Sequence, residues 1–215
     1  MNKRICFTYR ERLVIVLTLI CIMALPAAEP ITFKGGYTRA SMREGRETIL
    51  LSQGAIVSSG NIQFDAQTIE LIGPNARYLV GTGSVRITDT ENNLVINSTS
   101  ISFDRETQQL LVDGWVEIQD LKNEIIASGA YLSYNRTDGI MKLQIAAKLL
   151  RHTESGPMVC RGDSIEYNRE TMKLSLVGNS SIDWKGDTYR ASATTVDLET
   201  EEIEMEGTIK GIVHG

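Results

Sequence analysis

One apolar pattern recurs five times along the chain. Aligned on Ile62, Ile101, Leu132, Ile165 and Val196, the copies stand 39, 31, 33 and 31 residues apart. Two positions after each anchor come Phe64, Phe103, Tyr134, Tyr167 and Leu198. Five positions before stand Val57, Ile96, Ala127, Cys160 and Ala191, and seven before stand Ala55, Leu94, Ile125, Met158 and Tyr189. Every one of these positions is apolar or aromatic. A tandem repeat of this period fixes the architecture before any single element is read, because such units bury their apolar faces against one another.

Apolar residues two apart share one face of a strand, whereas a helix brings them back at three and four. The units are therefore β. The step of five between the two apolar pairs would turn the chain to its other face unless a bulge or bend adds a residue there. A polar turn follows each aromatic residue or leucine, at Asp65–Thr68, Asp104–Thr107, Asn135–Asp138, Asn168–Thr171 and Glu199–Glu202. Alternation then resumes, as in Leu110 and Val112 or Leu174 and Leu176. Each unit reads as a hairpin with one apolar face, and glycines such as Gly73, Gly114, Gly178 and Gly207 close the returning strand. At two to three strands per unit the chain holds roughly 14 to 17 strands. One-sided alternation demands a partner layer, so two facing sheets or a coil of sheet closed on itself is expected. Residues 31–51 read as a worn terminal copy, as the ends of stacked repeats usually are.

Ahead of the repeats, Lys3, Arg4, Arg10 and Arg12 precede an apolar stretch from Leu13 to Leu25 and then Pro26-Ala27-Ala28. This is the build of a secretory signal peptide over residues 1–28, with a core of about 13 residues where a bilayer-spanning helix needs roughly 20. Cleavage near Ala27 or Ala28 is expected, leaving one β domain at 29–215; an uncleaved anchor is the alternative, since Leu25 and Pro26 stand where a small residue is preferred. Cys6 and Cys21 would leave with the leader. Cys160 alone remains, so no internal disulfide is available and packing must supply the stability. The remaining chain carries 18 Lys and Arg against 26 Asp and Glu, a net charge near −8 that disfavours nucleic-acid backbones.

Catalysis needs a nucleophile with its base, paired carboxylates in a pocket or a metal cluster. The chain has two histidines, His152 in a polar stretch and His214 at the penultimate position, and no Cys/His spacing of the metal-binding kind. No catalytic residue, metal or cofactor is expected. Cys160 occupies a repeat position filled elsewhere by Val57, Ile96, Ala127 and Ala191, which marks it as a packed small side chain. Arg161-Gly162-Asp163 spells an adhesion tripeptide but falls on the bulge of its unit.

Several segments resemble the LptA/OstA-like lipopolysaccharide-transport proteins of the bacterial periplasm. They are Thr48–Val57, Gly83–Asp89, Ile96–Asp104, Leu111–Ile118 and Met205–Ile209, and the resemblance spans about Tyr37 to Val213. It implies an all-β, elongated and twisted β-jellyroll of two facing antiparallel sheets. It further implies a non-enzymatic periplasmic carrier that shields lipopolysaccharide acyl chains between the inner and outer membranes. The partners so implied are the acyl chains of an envelope glycolipid, other jellyroll-bearing components of the two membranes, and further copies of the chain joined end to end. Shielding has a clear physical basis, because each exposed methylene costs about 0.8 kcal/mol, or roughly 10 kcal/mol over a ~12-carbon chain. The expected lining is Ile62, Phe64, Ile101, Phe103, Leu132, Tyr134, Ile165 and Tyr167. Two other readings stay open: a membrane-anchored component of the same pathway, and a secreted structural or adhesive β-repeat protein with its faces packed shut.

Overall fold

The alternation read from the sequence becomes hydrogen-bonded sheet from end to end. The computed structural model describes residues 30–214, so the leader expected at 1–28 lies outside the described residues. Fourteen strands form a single antiparallel sheet. They are β1 (Ile31–Lys34), β2 (Tyr37–Ser41), β3 (Thr48–Ser59), β4 (Ile62–Ile72), β5 (Tyr78–Asp89), β6 (Leu94–Asp104), β7 (Gln109–Asp120), β8 (Ile125–Asn135), β9 (Ile140–Thr153), β10 (Gly156–Asn168), β11 (Lys173–Trp184), β12 (Asp187–Asp197), β13 (Glu202–Glu206) and β14 (Lys210–Ile212). From β3 to β13 each strand pairs with the next in sequence. One 3-10 turn, Pro74–Ala76, sits between β4 and β5.

Every long strand is broken near its middle. The register slips between Ser52 and Ala55 in β3, Thr82 and Val85 in β5, Asp113 and Val116 in β7, and Val177 and Ser180 in β11. The even strands slip opposite them, as between Ser98 and Ser102 in β6. These bulges form one line across the sheet, and the sheet folds in half along it. Phe64 in the first half of β4 meets Phe103 in the second half of β6, two strands away, with ring centroids 5.3 Å apart. Such a contact requires the two halves to face each other. The expected pair of facing layers is therefore one continuous sheet doubled over, and the step of five residues is the fold line. Gly114 and Gly178 sit on that line and do not end strands; Trp115–Ile118 is the second half of β7.

The turns at the strand ends are shaped by the residue that precedes them. Asp104 Oδ1 accepts from the Glu106 and Thr107 amides, and Asn168 Oδ1 accepts from those of Glu170 and Thr171. This is the Asx-turn that makes Asp and Asn good turn starters. Asp65–Thr68, expected as a turn of the same kind, lies instead on the bulge of β4. The first copy of the repeat is half a unit out of step: Leu79 stands opposite both Leu71 and Phe103, so the counterpart of Phe103 in β4 is Leu71 and not Phe64. The last copy is out by two residues, because Leu174 stands opposite both Tyr167 and Val196. A slip of two keeps every side chain on its face, so periodicity cannot detect it. The three central copies align as the sequence indicates.

At the N-terminal end β1 and β2 each cover one half of β3, and at the C-terminal end β13 and β14 each cover part of β12. Each pair is one bent strand interrupted at the fold line. Their outer edges are unpaired among the described residues.

Candidate functional site

All eight residues expected to line a lipid path lie inside the doubled sheet, none more than 4% exposed. Ile62 and Phe64 belong to one layer; Ile101, Phe103, Leu132, Tyr134, Ile165 and Tyr167 belong to the facing one. They form one apolar cluster continuous from Leu51 to Leu198. The interior is filled. One void in it, lined by Ile62, Ile87, Asp89, Leu94, Ile96, Leu110, Tyr134 and Arg136, has a volume of about 10 Å³. That is room for about one water molecule.

Opposite the fold line the two margins of the sheet meet in a seam. One margin carries the β3–β4, β5–β6, β7–β8, β9–β10 and β11–β12 turns; the other carries the turns between. Along each margin the turns hydrogen-bond to one another, as Leu121 N to Asn93 O at 3.0 Å and Arg136 N to Gln108 O at 3.1 Å. Across the seam the described residues connect through side chains. Arg136 Nε donates to Asp89 Oδ2 at 2.8 Å. One unit further on, Arg169 Nε donates to Asp120 Oδ2 at 2.8 Å and its terminal nitrogen to Asp120 Oδ1 at 3.2 Å, a two-pronged contact between side chains 3% and 0% exposed. Arg105 reaches Ser59 Oγ at 3.3 Å at the preceding level. Beyond them Arg151 donates to the Leu198 carbonyl, and Lys185 pairs with Glu201 at 3.4 Å near the surface.

Each aspartate is preset by its own turn. Asn92 donates its amide and its side chain to Asp89, and Asn123 does the same for Asp120. Burial would raise the Asp89 pKa, but the hydrogen bonds from Arg136 and Asn92 outweigh it and hold the carboxyl below its ordinary value. Burial likewise would lower the Arg169 pKa, yet Asp120 leaves it raised. Beneath the pairs, burial pushes the Tyr134 phenol up to about 12, and its hydroxyl has no partner in hydrogen-bonding geometry. The equivalent Tyr167 hydroxyl is held by Asn123 at 3.0 Å.

Sequence reasoning missed the seam. The signal was present: Asp89-x-x-Asn92 recurs as Asp120-x-x-Asn123, and Arg105, Arg136 and Arg169 hold the same turn position in three units. Reading them as partners requires the doubled sheet, because 46 to 49 residues separate each arginine from its acceptor.

Comparison with known proteins supplies the family. The family model described as LptA/(LptD N-terminal domain) LPS transport protein matches residues 95–202, half of the chain. The chain belongs to this family. The LptA/LptD N-terminal match takes in β6 to β12, six of the eight expected lining residues, and Asp120, Arg136 and Arg169 of the seam. Among solved structures the chain is similar to LptH, the LptA homologous periplasmic component of the lipopolysaccharide transport device from Pseudomonas aeruginosa. The identity is 10%, the alignment covers 87% of this chain and 96% of that one, and the TM-score is 0.26, too low to add to the strand topology above. No curated protein matches the chain.

The remaining candidate residues sit apart from one another. Cys160 is fully buried and burial pushes its thiol up to about 12, far from a reactive thiolate. His152 is exposed at the end of β9. Arg161-Gly162-Asp163 lies on the bulge of β10, as expected. Among the described residues no three His, Cys, Asp or Glu side chains converge as metal ligands.

Proposed function

We propose that this chain is a non-enzymatic periplasmic carrier that shields the acyl chains of lipopolysaccharide, or a closely related envelope glycolipid, as they pass between the inner and outer membranes. The observation that carries the reading is the apolar interior running without interruption through every unit of a chain in the LPS-transport family. An acyl chain laid along it would exchange water for side chains over its full length, worth about 0.8 kcal/mol per methylene. The unpaired outer edges of β1–β2 and β13–β14 support end-to-end joining of copies, or of other jellyroll components, by strand addition. The expected lining residues are the ones such a chain would touch.

The test places a photo-reactive phenylalanine analogue at Phe103, and separately at Tyr134, in protein made in its native envelope. Light should attach glycolipid at both positions, identified by mass spectrometry of the adduct. Protein that carries no acyl chains and captures none at either position sinks the carrier reading. It would leave the second reading, a secreted structural β-repeat protein whose faces are packed shut, which the filled interior favours.

A further inference from the structure

The fold line and the strand ladders cannot part without losing backbone hydrogen bonds, whereas among the described residues the seam is crossed by side chains alone. The seam is therefore the line along which this molecule opens most readily. Its two most buried ties are the arginine–aspartate pairs, and the interior void lies directly beneath Asp89–Arg136. Tyr134 lines the same void.

We propose that the seam is a lateral gate for lipid, and that Arg136 and Arg169 are exchanged from Asp89 and Asp120 onto the phosphates of the glycolipid headgroup as acyl chains pass inside. The proposal rests on the carrier reading. A guanidinium fork fits a carboxylate and a phosphate in the same two-pronged manner, so the exchange replaces one charge-assisted pair by another and does not strand a cation. A lipid without phosphate offers no such replacement and must break the ties outright. Geometry also favours a headgroup with more than one phosphate. The two arginines are one repeat unit apart, which is two strand spacings or about 9.6 Å, and both face the same side of the sheet. Glu91, close to Arg136 at 3.7 Å and itself largely exposed, places a further negative charge beside the gate on the outside.

The experiment uses the full chain with the photo-reactive analogue at Phe103 and cysteines introduced by Glu91→Cys and Thr137→Cys, on facing turns of the two margins. A short, reducible bis-methanethiosulfonate cross-linker staples the seam; Cys6 and Cys21 are replaced by serine, and buried Cys160 stays out of the reaction. The probes are diphosphorylated lipid A and its dephosphorylated counterpart. Stapling should cut capture of diphosphorylated lipid A at least tenfold, and reduction of the staple should restore it. The unstapled protein should also prefer the phosphorylated lipid by at least tenfold, and Arg136→Lys/Arg169→Lys, which keeps the charge but not the fork, should bring that preference close to one.

Equal capture with and without the staple overturns the gate and assigns loading to the ends of the sheet. A preference that survives in the lysine variant overturns the phosphate exchange, and inorganic phosphate that alone raises capture of the dephosphorylated lipid overturns the headgroup as its source, since the seam would then respond to free anion. Capture of neither lipid by the open protein brings down the carrier reading and the gate with it.

Discussion

The fold line and the seam run parallel through the same fourteen strands, and they are built in opposite ways. The fold line is made by the backbone. Pairs of residues bulge out of the odd strands, several in the left-handed region, among them Gln53-Gly54 with φ of 62° and 85° and Gly83-Ser84 with φ of 78° and 51°. The seam is made by side chains 46 to 49 residues apart, each arginine of one margin seated on a polar group of the other. A bend written into the backbone is permanent while the protein is folded, but a row of ion pairs has a second arrangement available to it. The difference gives the doubled sheet one fixed side and one side able to open.

The largest expected effect breaks the seam. Arg169→Ala leaves the Asp120 carboxylate buried with its charge uncompensated, and should destabilise the protein by about 3–5 kcal/mol in urea unfolding. Replacing both partners, as Asp120→Leu/Arg169→Met, removes the buried charge altogether and should recover most of that loss. If Arg169→Ala costs less than about 1 kcal/mol, the seam at this level is held by packing, and the contrast with the fold line disappears.

A smaller effect tests the fold line. Gly83→Ala puts a side chain where φ is +78°, and the new Cβ would stand 2.9 Å from the Cβ of Gln67 on the facing bulge. The left-handed conformation alone should cost about 1–2 kcal/mol. Unlike the seam variant, it should leave accessibility of the margins to hydrogen exchange unchanged. Loss of protection at Asp89 or Asn92 would show that the two lines are mechanically coupled.

The fold line also holds a substitution that should stabilise. In β9 the bulge is formed by Ile145 and Ala146, with φ of 61° and 54°, where neighbouring odd strands use glycine for at least one of the pair. A β-branched residue is ill suited to that conformation, and Ile145 is 66% exposed, so little packing offsets the strain. Ile145→Asn should raise stability by on the order of 1 kcal/mol, because asparagine tolerates the left-handed region. A fall in melting temperature would mean that the exposed isoleucine contributes more than its conformation costs.

Most of the fold is legible in the sequence because period-2 alternation is a direct image of a one-faced strand. The step of five from Ile96 to Ile101 announces the bulge, and the aromatic at the end of each central unit announces the turn. What the pattern leaves undetermined is absolute register. Phe64 resembles Phe103 in every local respect, yet the hydrogen-bond partner Leu79 shows that Leu71 is its counterpart. The eight lining residues are legible as core for the same reason. Their contact with lipid is not, since filling a core and lining a groove call for the same side chains. The seam was least legible: Asp89 and Arg136 meet only after three intervening strands have paired.

The smallest expected effect separates the seam charge from the other carboxylates by titration. Asp89 has a folded pKa below its unfolded value near 3.8, so it adds stability that is fully present above that value and is lost as pH falls through the folded pKa. Asp104, held at about 2 first of all by the hydrogen bond from Arg77, behaves alike in sign but lies on the outer rim of a turn, where solvent screens it. Acidification from pH 6 to pH 3 should therefore destabilise the wild type more than Asp89→Asn, because the variant has no seam carboxylate at that level to neutralise. The gap between the two curves should open only below about pH 4 and should be smaller than the loss from Arg169→Ala, since titration reads only the difference between two protonation equilibria. Parallel curves across the whole range would show that Asp89 is as well solvated by its turn in the unfolded chain as by Arg136 in the seam. The gate would then depend on Asp120 and Arg169 alone.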